Sequence, residues 1–328
     1  MERSKEPRPA EEKGSPPESW ERDLLTRLAS ATLNEQRRAR RWNIFFKLLG
    51  FAYLTILLFL LFSWEWGEIE TAVGKHTALV EIQGVIDEST QASADNIITA
   101  LRTAFSNQHV AGIIVRINSP GGSPVQAGYV YDEIRRLRQQ HPEIPLYAVI
   151  GDIGASGGYY VAAAADRIYA DKASIVGSIG VTMNPFGLSS FGFTEAMKKL
   201  GIERRLLTSG ESKSLLDPFS PLKPEEVEHV KKLLDDIHAQ FIQAVRTGRG
   251  DRLKDEPEIF SGLIWTGEEG MALGLVDALG SASYVAREIV GAEEIVDYTV
   301  RPSYLDRFAE RLGVAMGKGL YSVLNSNQ

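Results

Sequence analysis

The chain has 328 residues, 44% hydrophobic and 24% charged, an ordinary globular balance that excludes a wholly disordered, collagen-like or polytopic membrane chain. Its net charge of −7, from 36 basic and 43 acidic side chains, argues against a global nucleic-acid-binding surface. There is no cysteine, so disulfides, thiolate catalysis, cysteine-ligated zinc and iron–sulfur clusters are all excluded.

Residues 1–41 carry ten basic and eight acidic side chains and four prolines. So little apolar surface cannot offset the entropy of ordering the chain, which predicts a largely disordered tail with room for one short helix around Trp20–Leu33. Leu48–Trp64 contains no charged residue, and with Ile44–Lys47 the stretch is long enough to cross a hydrocarbon core of roughly 30 Å as one helix. Lys47 can snorkel to the interface, and Trp42, Trp64 and Trp66 mark the two ends. Ser63-Trp64-Glu65 is not a small-x-small cleavage site, so residues 44–64 read as a retained transmembrane anchor. Arg37, Arg38, Arg40 and Arg41 precede this span, and Glu65, Glu68 and Glu70 follow it. The positive-inside bias then keeps the tail cytoplasmic and puts the rest of the chain, after a juxtamembrane linker at 65–75, on the far side of the membrane.

Residues 76–300 alternate strand-like and helix-like runs. Ala78–Ile86, Val110–Ile117 and Pro145–Ile150 read as strands, while Ser93–Phe105, Val125–Leu137 and the small-residue run Gly158–Ala165 read as helices. Arg167–Ala170 and Ser174–Val181 look extended. Glu195–Leu200 is expected as a helix and Glu203–Thr208 as a strand. Pro224–Arg246 is a long helix with proline in its first turn. Thr266-Gly-Glu-Glu269 is a capping box for a helix ending near Gly274. Alternation of this kind predicts an α/β domain with a largely parallel sheet. Residues 301–328 form a final amphipathic candidate, with Tyr304, Phe308, Leu312, Met316 and Leu320 on one face. It could dock on a partner subunit, lie on the membrane or pack on its own domain.

Two glycine-rich loops follow two of the strands, where ligands of open α/β sheets bind. The first is Asn118-Ser-Pro-Gly-Gly-Ser-Pro124 and the second Gly151-Asp-Ile-Gly-Ala-Ser-Gly-Gly158. Within the second, Gly154-Ala-Ser156-Gly-Gly158 satisfies G-x-S-x-G, which lifts a serine hydroxyl above a sheet at a strand-to-helix turn. The Gly157 N–H is then available to a developing oxyanion, and Gly121 and Gly122 can add a second donor. Either loop alone fits a simple turn; the pair on adjacent strands points to acyl chemistry.

A serine hydroxyl needs a base. His76, His109, His141, His229 and His238 all lack a glycine-framed or strand-end setting. Lysine is the alternative: its ordinary pKa of about 10.4 leaves roughly one molecule in two thousand neutral at pH 7, and burial lowers it. Lys213, in Thr208-Ser-Gly-Glu-Ser-Lys-Ser-Leu-Leu-Asp-Pro-Phe219, is a candidate, although its local sequence alone does not separate it from a solvated lysine.

The chain resembles the signal peptide peptidases of the SppA type in their short bacterial form; the related SohB-like membrane proteases and membrane proteases linked to stomatin-like partners, with other substrates, share the motif set. The matching pieces are Asn118–Gly122, Ala155-Ser-Gly-Gly-Tyr159, Ala165-Asp-Arg-Ile168, Ser174-Ile-Val-Gly-Ser-Ile-Gly-Val181, Lys213 ahead of Asp217-Pro-Phe219, and Gly274-Leu-Val-Asp277. The resemblance implies a ClpP/crotonase-like fold over 76–300, Ser156 as nucleophile and Lys213 as its general base. It also implies an oxyanion hole from Gly121, Gly122 and Gly157, and Ser178 near the substrate groove. The implied substrates are hydrophobic peptides left in the membrane after signal peptides are removed. The implied setting is the bacterial inner membrane, with no cofactor or metal. In related proteins the serine and lysine can come from neighbouring protomers of a homo-oligomer. Three competing readings stay open: an esterase using Ser156 with Asp217 and His229 or His238, a crotonase-like acyl-CoA enzyme, and a non-catalytic membrane scaffold.

Overall fold

The computed structural model describes residues 36–57, 74–183 and 193–301. The chain divides into two units, Met1–Ile69 and Glu70–Gln328. In the first, residues 36–57 form one helix, α1, whose apolar side chains from Trp42 to Leu57 are exposed. Among the described residues no helix is long and apolar enough to cross a membrane. The expected anchor at 44–64 has its last residues, 58–64, outside the described residues. So do residues 1–35 of the tail, 65–73 of the linker and 302–328 of the C-terminal helix.

In the second unit the apolar runs become parallel strands with helical crossovers. The order is β1 (His76–Gln83), α2 (Ala94–Ser106), β2 (Val110–Ser119), α3 (Pro124–Gln140), β3 (Leu146–Ala155) and α4 (Gly157–Ala162). Then follow β4 (Arg167–Ala170), β5 (Ile175–Gly177), α5 (Thr194–Lys199) and α6 (Pro224–Arg249). The chain continues with β6 (Ile264–Thr266), α7 (Gly267–Ala272), β7 (Ala278–Leu279), α8 (Ala282–Tyr284), a π-helical turn at Val285–Val290 and β8 (Ile295–Asp297). The sheet runs β6-β5-β3-β2-β1-β8, with β4 and β7 branching from β3. All pairs are parallel except β5 with β6.

Period-2 alternation divides the buried side chains between the two faces. Ala78, Val80 and Ile82 of β1, Ile113, Val115 and Ile117 of β2, and Leu146, Ala148 and Ile150 of β3 join the larger core with α2, α3, α4 and α6. Leu79, Ile114 and Val149, on the other face, meet Tyr169, Val285 and Ala286 in a smaller cluster. A sheet covered on both faces needs strands that are apolar throughout, which is why these three runs stand out in the sequence.

Two expectations are corrected. Glu203–Thr208 is not a strand: residues 202–208 are irregular and exposed, and no strand of the described chain lies beside them to take their hydrogen bonds. The second glycine loop begins later than its composition implies, because β3 continues through Gly151 to Ala155. Two different neighbours support that extension. Tyr147–Ile150 pair with β4, whereas Ile153–Ala155 pair with β5. The register against β2 slips between Ile117 and Ser119, so the far half of β3 bends away to carry its end toward β5.

Candidate active site

Ser156 sits between the end of β3 and the first turn of α4, with φ 51° and ψ −123°. Left-handed φ is strained for a residue with a side chain, and only surrounding contacts hold it there. Those contacts are backbone bonds: Ser156 N–H donates to the Gly177 carbonyl at 2.9 Å, and the Ser156 carbonyl accepts Tyr160 N–H at 2.9 Å. The turn therefore stands on β5 on one side and on α4 on the other.

The first glycine loop, after β2, closes over this serine. A Cβ built on Gly121 would lie 2.7 Å from Ser156 Cβ and 3.0 Å from its Oγ, so glycine is what lets the loop approach. Gly121 and Gly122 have φ of 108° and 152°. The loop is pinned to the chain after β1: Ile86 N–H donates to the Gly121 carbonyl at 2.9 Å, and Ser123 N–H to the Ile86 carbonyl at 2.8 Å. Gly121 N–H is occupied, donating to Ser119 Oγ at 3.1 Å. Gly122 N–H and Gly157 N–H have no acceptor among the described residues. The second is a first-turn donor of α4 and lacks an intrahelical partner by position. A Cβ on Gly157 would be 3.3 Å from Gly122 N, so the two free donors are neighbours.

Beside them opens a cleft of about 300 Å³. Ser156, Gly122 and Gly157 line one side, Ser178 and Gly180 another, and Ile237, Gln240 and Phe241 of α6 a third. Ser178 is also left-handed, with φ 51°, and its N–H donates to the Leu263 carbonyl at 2.7 Å. Tyr160, one turn beyond Ser156, stacks on Phe241 at 4.8 Å and meets the edge of Tyr131 at 5.3 Å. This aromatic wall escapes the motif reading. Its only sequence signal is Tyr160 standing four residues after Ser156.

Lys213 stands apart within the single chain. It lies in an irregular segment between α5 and α6, is exposed, and does not line the cleft. Asp217, nearby, is tied up locally: its carboxylate takes an ion pair from Arg204 and a hydrogen bond from Ser220 Oγ at 2.6 Å. Burial pushes its pKa up, but these bonds outweigh that and leave it below the ordinary value. Neither histidine of α6 reaches the cleft lining. His229 is exposed, and His238 Nε2–H donates to the Ile179 carbonyl at 2.9 Å. The serine–histidine–aspartate alternative is therefore not assembled in this chain.

A serine on a strand-to-helix turn of an α/β sheet, facing two free main-chain donors, defines a site for acyl chemistry. The sequence comparisons agree with that class. Residues 138–295 match the model of peptidase family S49. The chain is 33% identical over 212 residues to "Putative protease slr0021" of Synechocystis sp., covering 65% of this chain and 72% of that protein. It is 26% identical over 239 residues to "Putative signal peptide peptidase SppA" of Enterococcus faecium, covering 70% of this chain and 67% of that protein. A higher identity, 46% over 191 residues, joins 58% of the chain to a protein of Brucella abortus named "Na(+)/H(+) antiporter NhaA". There the chain spans only a quarter of the relative's length. The chain belongs to peptidase family S49.

Proposed function

We propose that this chain is a membrane-anchored serine endopeptidase with a ClpP/crotonase-like catalytic domain, cleaving hydrophobic peptides such as those left after signal-peptide removal. Ser156 Oγ attacks the scissile carbonyl carbon while a neutral Lys213 amine takes its proton. The tetrahedral oxyanion accepts hydrogen bonds from Gly122 N–H and Gly157 N–H. Collapse breaks the C–N bond, and the lysine returns the proton to the leaving amine. Water then attacks the acyl-enzyme and regenerates the serine. Ser178 contributes to the substrate groove. Because Lys213 does not line the cleft of its own chain, a neighbouring copy in a homo-oligomer supplies it. The anchor at 44–64 holds the domain on the outer side of the bacterial inner membrane, next to its apolar substrates.

The observation that carries this reading is the strained Ser156 beside two neighbouring unengaged N–H groups. The detergent-solubilised full chain is treated with a serine-reactive fluorophosphonate and the adduct located by mass spectrometry. The label is expected on Ser156, and Ser156→Ala and Lys213→Ala are expected to lose peptide hydrolysis while staying folded. Mixing the two inactive variants restores activity if the pair forms between copies. An adduct elsewhere, or full activity in either variant, overturns the assignment.

A further inference from the structure

Trp265 is the only tryptophan after Trp66, and no motif points to it. It lies in β6, paired with Val176 of β5. Its indole Nε1 is buried and has no hydrogen-bond partner among the described residues. A hydrogen bond is therefore not what calls for tryptophan here, since a buried unpaired N–H is a cost. The ring's shape is the remaining reason. A Cβ on Gly177 would sit 2.9 Å from Trp265 Cδ1, 3.1 Å from the Leu263 carbonyl oxygen and 3.5 Å from Trp265 Nε1. The two indole atoms belong to the five-membered ring, which phenylalanine lacks. Gly177 has φ 94° and precedes the left-handed Ser178. Its carbonyl accepts Ser156 N–H, the bond that props the nucleophile's turn on β5.

A chain of contacts thus runs from the indole through Gly177 to Ser156. We propose that Trp265 is a positioning residue whose pyrrole edge sets the Gly177–Ser178 turn and, through the Gly177 carbonyl, the attack geometry of Ser156. This rests on Ser156 being the nucleophile. Neither Trp265 nor Gly177 lines the cleft that holds Ser156. Loss of the edge should therefore slow the chemical step and leave binding alone.

The test uses the full chain as wild type, Trp265→Phe, Gly177→Ala and the double variant, with Ser156→Ala as control. Four quantities are read: kcat and KM on a fluorogenic apolar peptide, the rate of fluorophosphonate labelling at position 156, and the thermal midpoint. Trp265→Phe should lower kcat and labelling together by roughly ten- to a hundredfold, the scale for displacing a reacting group by about 1 Å. KM should stay within about twofold. Gly177→Ala should cost less in the Trp265→Phe background than alone, because the indole edge its methyl would meet is gone. Should Trp265→Phe fail to fold, Trp265→Leu, which also lacks the pyrrole edge, carries the test by the same split between kcat and KM. Wild-type kcat in the folded variant, or a loss that only follows the folded fraction, overturns the inference. An inactive Ser156→Ala beside an unaffected Trp265→Phe sinks this inference alone; an active Ser156→Ala sinks the nucleophile assignment beneath it.

Discussion

Replacing Gly122 with alanine should separate the oxyanion loop from the rest of the fold. The added Cβ would overlap the Ile86 carbonyl oxygen and lie 2.8 Å from that residue's nitrogen and carbonyl carbon. All three are backbone atoms of a fully buried residue, so no flexible side chain can yield. Gly122 also has φ 152°, where a side chain adds strain of its own. The loop must then leave Ile86, giving up the 2.9 and 2.8 Å bonds that clamp it. At about 0.5–1.5 kcal/mol per bond, the stability loss is about 1–3 kcal/mol. The effect on turnover should be larger. Moving the Gly122 N–H removes one of two oxyanion donors, worth on the order of 10²–10³ in kcat. Hydrolysis of a quenched apolar peptide gives kcat, and a urea midpoint gives stability. Gly128→Ala is the control: it lies in α3 with nothing within 4 Å of a new Cβ, and should gain about 0.5–1 kcal/mol with turnover unchanged. A Gly122→Ala protein with near wild-type kcat would refute the placement of that donor.

Two further outcomes concern the frame that carries the site. Arg249 is 1% exposed; its guanidinium meets both Asp277 oxygens at 2.7 and 2.9 Å and the Gly274 carbonyl at 2.8 Å. Arg249→Met leaves the half-buried Asp277 carboxylate with Arg252 at 3.2 Å and the Ile168 N–H at 2.6 Å as its remaining partners, and should cost about 3 kcal/mol, the low end for breaking a buried pair, in denaturant unfolding at pH 7, with Arg249→Met/Asp277→Asn recovering part of it. Glu133 is nearly buried, and hydrogen bonds from Arg136 lead the effects that lower its pKa to about 2 from an ordinary 4.5. Because the folded value is the lower one, the stabilisation is fully present above about pH 4.5 and disappears as pH falls toward 2. Glu133→Gln should therefore flatten the fall in unfolding midpoint across that window; an unchanged slope would show that other groups govern it.

Much of this frame is legible in the sequence because its signals are local. Pro224 does open α6, and the Thr266–Glu269 capping box is formed on both sides. The apolar runs of β1, β2 and β3 mark themselves, being buried on both faces. Glu203–Thr208 misleads for the converse reason: strand-like composition makes a strand only beside a neighbour, and this segment has none among the described residues. Residues 151–155 mislead in the other direction. Their glycines suggest a loop, yet pairing with Ser119 and with β5 makes them strand.

The site divides along the same line. G-x-S-x-G and the paired glycines of 121–122 are legible because each is a turn whose φ values only a few residue types tolerate. Which glycine offers its N–H is not legible, since that depends on Ser119 Oγ capturing the donor of Gly121 and on Ile86 orienting the loop. The cleft wall is less legible still, because Tyr160, Ser178 and Phe241 meet only after β3 bends toward β5 and α6 folds back across α4. Lys213 marks the limit of what one chain's sequence can place. It follows a stretch that reads as a strand and lies exposed, outside the cleft that holds Ser156. Under the proposed homo-oligomer, a second copy pairing with 203–208 would give that stretch the neighbour it lacks among the described residues and bring a lysine to the cleft in the same step. Strand formation at 203–208 and arrival of the base then become one event. If the base comes from a neighbouring copy as proposed, a chain held monomeric loses turnover in the peptide assay while its Ser156 turn, whose backbone bonds to Gly177 and Tyr160 lie within one chain, stays intact.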